Sequence, residues 1–197
     1  MREILQIRRL SLWIFFLPLI AINFCLFISI NPGLLEETIF KVDQIGRSGF
    51  SIPYLDGSLS ISRASRTFPQ YLIFKPSMIV TGVLLFYYWN YNNSLICKLR
   101  NTENIKYKFR LFGILSAIFL IIHSIFLGIK FDIQLYKLFR RVVLLLFIIF
   151  EIIAQGLLVY YLYNIKNKIF EITNKKILIA KIFLVSILAT VAIASLP

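Results

Sequence analysis

The stretch RVVLLLFIIFEIIAQGLLVYYLY, Arg141 to Tyr163, decides the fold class. It is apolar apart from its leading arginine, Glu151 and Gln155, and at about 1.5 Å per residue it crosses about 30 Å of hydrocarbon as a helix. Four more stretches read the same way: Leu12–Ile30, Gln70–Tyr91, Phe109–Ile129 and Ile177–Ser195. The whole chain agrees, with 59% apolar, 16% aromatic and 16% charged residues against about 45–50% apolar and about 25% charged in soluble domains. So much apolar surface excludes disorder, while 8 Gly, 6 Pro and 2 Cys are too few for a collagen-like chain or a disulfide scaffold. The expected fold is all-α: residues 1–197 form a single transmembrane domain, a polytopic bundle of five transmembrane helices with one long outer loop, 31–69. Arg8 and Arg9 ahead of the first stretch imitate a signal peptide. However, the run exceeds the about 7–15 residues of such a segment, and Ser29-Ile-Asn-Pro-Gly33 lacks a small-x-small cleavage pattern, so a retained helix is expected.

The formal charge is +13. In a soluble protein this would suggest nucleic acid, but here the bases flank apolar blocks, which makes them a topological and anionic-lipid signal. With the N-terminus cytoplasmic, the inner segments carry 13 of the 22 Lys and Arg and the outer segments 9. The expected localisation is therefore a plasma or inner membrane, multi-pass, with the N-terminus inside and the C-terminus outside. Tyr87, Tyr88, Trp89 and Tyr91 close the second span and Tyr160, Tyr161 and Tyr163 the fourth, where amphipathic rings prefer the interface. One His and the distant Cys25 and Cys97 make no zinc set or CxxC pair, and no phosphate loop, GxSxG or HExxH occurs, so neither metal nor cofactor is expected.

Chemistry must come from polar residues inside or beside the spans. Glu151 lies near mid-membrane with Gln155 one turn on, and an ionisable group at that depth should face the bundle interior. His123 lies about 9 Å deep in the third span. Lys75, His123, Glu151 and Gln155 are thus candidates for an outer-half polar cavity, with Ser77, Ser116 and Ser124 at similar depth; the alternative is hydrogen-bonded glue between helices. Lys75-Pro76 reads either as a kink within the second span or as its start, with Pro76 the first helical residue. In the outer loop, Ile52, Tyr54, Leu55, Leu59, Ile61 and Phe68 are apolar anchors, Asp56-Gly57 is a turn signal, and Ser58 to Ser62 alternates polar and apolar, so a short hairpin or cap over the outer face is expected. Arg63 and Arg66 are either solvated lid residues or a phosphate or carboxylate headgroup site, and Arg140 and Arg141 either interfacial anchors or part of one.

The segment Ser51-Ile-Pro-Tyr-Leu-Asp-Gly57, followed by Phe68-Pro-Gln-Tyr-Leu-Ile-Phe74 entering the second span and by His123 in the third, resembles the superfamily of damage-regulated autophagy modulators and GPI-anchor lipid-remodelling membrane proteins. The matching residues are Pro53, Tyr54, Leu55 and Asp56. The resemblance implies a multi-pass bundle whose members commonly have six spans. The leading functional expectation is a non-enzymatic accessory protein that binds membrane lipids or another membrane protein, and no nucleic acid. A proton-coupled transporter or channel subunit using Glu151, His123 and Lys75 is the alternative. A membrane-embedded lipid-modifying enzyme comes third, because no nucleophile-base pair or metal set is visible.

Overall fold

A computed structural model describes residues 2–35, 37–40, 61–102, 105–129, 134–170 and 174–194. Most of these residues are helical, with no strand among them. The helices are α1 (Arg2–Ile30), α2 (Ile61–Ala64), α3 (Tyr71–Arg100), α4 (Lys108–Phe126), α5 (Gln134–Asn164), α6 (Lys166–Phe170) and α7 (Lys175–Ala194), with a 3-10 turn at Pro32–Leu35. Four of them, α1, α3, α4 and α5, are long and apolar enough to cross a membrane. α7 forms over the fifth apolar stretch.

Helices adjacent in sequence pack side by side, α1 on α3, α3 on α4, α4 on α5 and α5 on α7. Pairings near their ends show that they run antiparallel. Glu3 near the start of α1 pairs with Lys98 near the end of α3, and Cys25 near the end of α1 meets the Gln70 carbonyl at the entry to α3. The Phe126 carbonyl at the end of α4 accepts from Tyr136 at the start of α5. One end of the bundle therefore gathers the start of α1, the α3–α4 turn and the α5–α7 connection; the other gathers the end of α1, α2 and the start of α5.

Close approach of α3 and α4 rests on small residues. Gly82 lies against Ile121 and the Ala117 carbonyl, and Gly113 against the face of the Trp89 indole. Trp89, fully buried, sits edge-on to Tyr88 at 5.1 Å and beside Phe109 at 6.1 Å. This is the packing expected where hydrocarbon supplies no hydrophobic drive and helix association depends on contact and hydrogen bonds. The turn after α3 is closed by Asn101 in the left-handed conformation, φ 54°, with Thr102 N–H donating to the Cys97 carbonyl at 3.0 Å, a Schellman-type stop. Asn93 then clamps the turn from inside: its Oδ1 accepts from Tyr107 N–H at 3.0 Å and its Nδ2 donates to the Ile105 carbonyl at 3.1 Å. The outward faces remain apolar, with Phe15, Ile20, Leu111, Leu135 and Phe183 all more than half exposed, a surface that water disfavours and acyl chains match.

Three expectations change and one open choice is decided. The helices overrun the apolar stretches, α1 starting at Arg2 and α5 at Gln134, because the flanking polar residues continue the backbone hydrogen bonding beyond the apolar segment. α4 stops at Phe126 rather than at Ile129, where Gly128 takes φ 81°. Of the two readings of Lys75-Pro76, the structure has the one within the span, with Pro76 inside α3. Ile61 and Ser62, the end of the stretch expected as a short hairpin or cap, are helical in α2 rather than paired in a hairpin, and α2 packs on α1 with Ala64 fully buried. The turn signal Asp56-Gly57, the anchors Ile52 to Leu59 and the Pro53–Asp56 segment lie outside the described residues.

Candidate functional site

Glu151 turns into the bundle as its depth requires. Its Oε1 accepts from Gln155 Nε2 at 2.9 Å, and its Oε2 lies 2.6 Å from Ser116 Oγ on α4. Ser116 is fully buried and also lies 2.8 Å from the Gly113 carbonyl. Its single hydroxyl proton can serve only one of these two acceptors. With an ionised Glu151, Ser116 donates to the carboxylate and releases the Gly113 carbonyl; with a protonated Glu151, the acid donates to Ser116, which donates onward to Gly113. The Trp89 indole N–H lies near the same carboxyl group without closing a hydrogen bond.

The other members of the expected cavity lie elsewhere. His123 is seven residues along α4 from Ser116, about 10 Å, and sits beside Arg140 at the start of α5 with Nδ1 buried and unbonded. Lys75 is fourteen residues along α3 from Trp89, about 21 Å; its Nζ lies 5.4 Å over the Tyr71 ring. Antiparallel register separates groups that depth counting had levelled. Gln155 stays with Glu151 through the i,i+4 spacing of one helix, but Lys75 and His123 do not join them. Among the described residues, Lys181 of α7 is a cation that bears on Glu151 electrostatically; its Nζ donates to Tyr88 Oη at 3.2 Å.

Three of the four arginines singled out for headgroups do come together. Arg66, whose Nε donates to the Ser62 carbonyl at 2.6 Å, lies near Arg140 and Arg63; burial, then the charges of Arg140 and Arg63, hold it below the ordinary arginine range. Arg140 stacks over the Tyr136 ring at 5.6 Å, and Arg141 is exposed on α5. This segment is fixed to α1 by Gln70, fully buried, whose side-chain amide lies 3.1 Å from Ser29 Oγ with its amino end best placed to donate to the Phe68 and Thr67 carbonyls at 2.9 and 3.2 Å.

At the opposite end, a cavity of about 730 Å³ opens between α1, α3 and α7, with the ends of α5 and α6 closing it. Its walls are mainly apolar, with Ile4, Ile7, Leu95, Leu162, Ile177 and Leu178 prominent. Arg8, Ser11, Asn92 and Asn174 supply polar points, and Tyr88 and Lys181 reach the wall as a bonded pair. Its volume falls within the about 300–1,000 Å³ of small-molecule sites, and apolar walls with a few convergent polar groups are their usual make-up. Sequence reasoning missed it because the lining comes from five helices, each of whose contributions reads as ordinary interface. The one available signal was Lys181, a cation inside an apolar stretch. No family model, no characterised protein and no solved structure matches this chain.

Proposed function

We propose that the protein is a five-span integral membrane protein, with the N-terminus cytoplasmic and the C-terminus outside, that holds a membrane-derived amphiphile in the cavity at its cytoplasmic end. The cavity carries this reading. It is apolar enough for an acyl chain, open toward the basic end of the bundle, and edged by Arg8 and Lys181, which suit a polar or anionic head. The distribution of bases supports the orientation, and antiparallel packing puts the 13-base segments at the cavity end. The role is non-enzymatic: sequestering or presenting a lipid. The arginine group Arg63, Arg66 and Arg140 would hold the opposite end at the outer headgroup layer.

A photoactivatable, clickable fatty acid fed to cells expressing the protein tests the reading. Crosslinks are expected in peptides covering Leu95–Leu99 and Ile177–Lys181, and filling the cavity with Ile177→Trp should reduce them about tenfold, because an apolar ligand displaced from a packed site has no second place of equal complementarity. Labelling confined to outward residues such as Phe15 and Phe183, unchanged in Ile177→Trp, would overturn it.

A further inference from the structure

The cavity between α1, α3 and α7 is polar at one end and apolar at the other, and helix register says which is which. Glu3 lies opposite Lys98 and Cys25 opposite Gln70 across α1 and α3, so Ser11 comes level with Tyr88 and Asn92, and Lys181 joins that level through its bond to Tyr88 Oη. These four residues form the floor. Ile4 lies about 10 Å from Ser11 along α1 and Leu99 about 16 Å from Tyr88 along α3, and with Leu95 and Ile169 they line the cavity toward the end of the bundle. They form the mouth. On the same two helices the exposed Trp13 and Tyr87 mark the membrane interface, where such rings prefer to lie. The floor is therefore level with the headgroups, and the apolar walls continue beyond them on the cytoplasmic side. Chains of the surrounding leaflet run the other way. We propose that the cavity takes an anionic amphiphile everted, with its head on Lys181 at the floor and its acyl chain turned toward the α3–α4 turn, away from the hydrocarbon. This rests on the cavity reading and adds to it the charge of the ligand and its direction.

The polar groups at the two ends differ in what they have left to offer. At the floor, the Lys181 ammonium has three donors, of which Tyr88 takes one, and among the described residues no carboxylate lines the cavity. Near the mouth, Glu3 pairs with Lys98, and Asn174 Oδ1 accepts from the Lys176 N–H at 2.9 Å to hold the start of α7. Those groups are already engaged. Arg8 is the second cation of the cavity, exposed one turn toward the mouth from Ser11, and a helical side chain leans toward its own N-terminus, which for α1 is the mouth. It suits a head bound the ordinary way up. That pose, however, sets the end of the chain against the Ser11 hydroxyl, the Asn92 amide and the Lys181 ammonium, which are costly to cover without a partner, and sets the head among Ile4, Leu95 and Leu99. The everted pose reverses both mismatches. Moving the chain from bilayer to apolar cavity exchanges one hydrocarbon surrounding for another, so the contact between head and Lys181 decides the affinity.

The test uses the full chain in phosphatidylcholine nanodiscs and two photoactivatable palmitates, one with its diazirine beside the carboxylate and one with it beside the terminal methyl. After irradiation, the carboxylate-end probe should mark Ser11, Tyr88 and Asn92, and the methyl-end probe Ile4, Leu99 and Ile169. Unlabelled hexadecyl sulfate should displace both probes from the cavity, and hexadecanol should do so about tenfold less well, the worth of one charged hydrogen bond. Lys181→Gln should weaken the sulfate by about the same factor, and Arg8→Gln by less. The labelling pattern comes from the unaltered protein and holds whether or not a variant folds. Labelling in the reverse order, with the methyl end at the floor and the carboxylate end at the mouth, would overturn the everted pose and leave the cavity reading standing. A loss from Arg8→Gln as large as that from Lys181→Gln, or equal displacement by the alcohol, would overturn it too. Failure of both probes to label any cavity residue would remove the cavity reading itself.

Discussion

Gly113→Ala should lower the melting temperature of the detergent-purified protein sharply, through a loss of about 1–3 kcal/mol or more from overpacking. A Cβ at this position falls within the ring of Trp89, and Trp89 cannot move aside because it is fully buried between Tyr88 and Phe109. The helices themselves must part, which also displaces Ser116, one turn from Gly113, from Glu151. Combining Gly113→Ala with Trp89→Phe returns volume to the contact and should recover part of the loss, a coupling of about 0.5–3 kcal/mol. Equal melting temperatures for Gly113→Ala and the unaltered protein would show that α3 and α4 do not meet through this pair.

Gln70→Leu should be comparably costly for a different reason. The side chain is fully buried, and its amide serves Ser29 on α1 together with the carbonyls of the segment leading into α3. Leucine fills the space but abandons those groups, at about 1–3 kcal/mol for buried polar atoms left unsatisfied. The local signature is protease access: the 61–70 segment loses its tie to α1, so tryptic cleavage after Arg63 and Arg66 in detergent should accelerate while the long helices survive. Unchanged cleavage would show that Ala64 and Ser65, buried beside it, hold the segment without Gln70.

Helices and their order were legible because each long apolar run admits one backbone solution in hydrocarbon, where unpaired N–H and C=O groups are costly. The inward aim of Glu151 and its pairing with Gln155 followed from the same reasoning applied to one helix. What the sequence did not reveal lies between helices. Lys75, His123 and Glu151 appeared level when depth was counted from each span's own edge, yet the edges were misplaced, α5 beginning at Gln134 rather than Arg141, and antiparallel register set Ser116, not His123, opposite Glu151. Lys181 entered the site instead from α7, by tertiary packing that no local pattern encodes. Asn93 closes the α3–α4 turn, a role that depends on where Ile105 and Tyr107 return.

The proposed five-span topology, with the cavity end toward the cytoplasm, is tested most directly by the accessibility of engineered cysteines in a cysteine-free background. The sites are Lys137→Cys at the start of α5, Lys175→Cys at the start of α7 and Ala194→Cys at its end, all exposed in the structure. An impermeant maleimide added to intact cells should label positions 137 and 194 and reach position 175 only after permeabilisation. Labelling of position 175 in intact cells, or labelling of positions 175 and 194 from the same side, would contradict the orientation or the fifth crossing respectively.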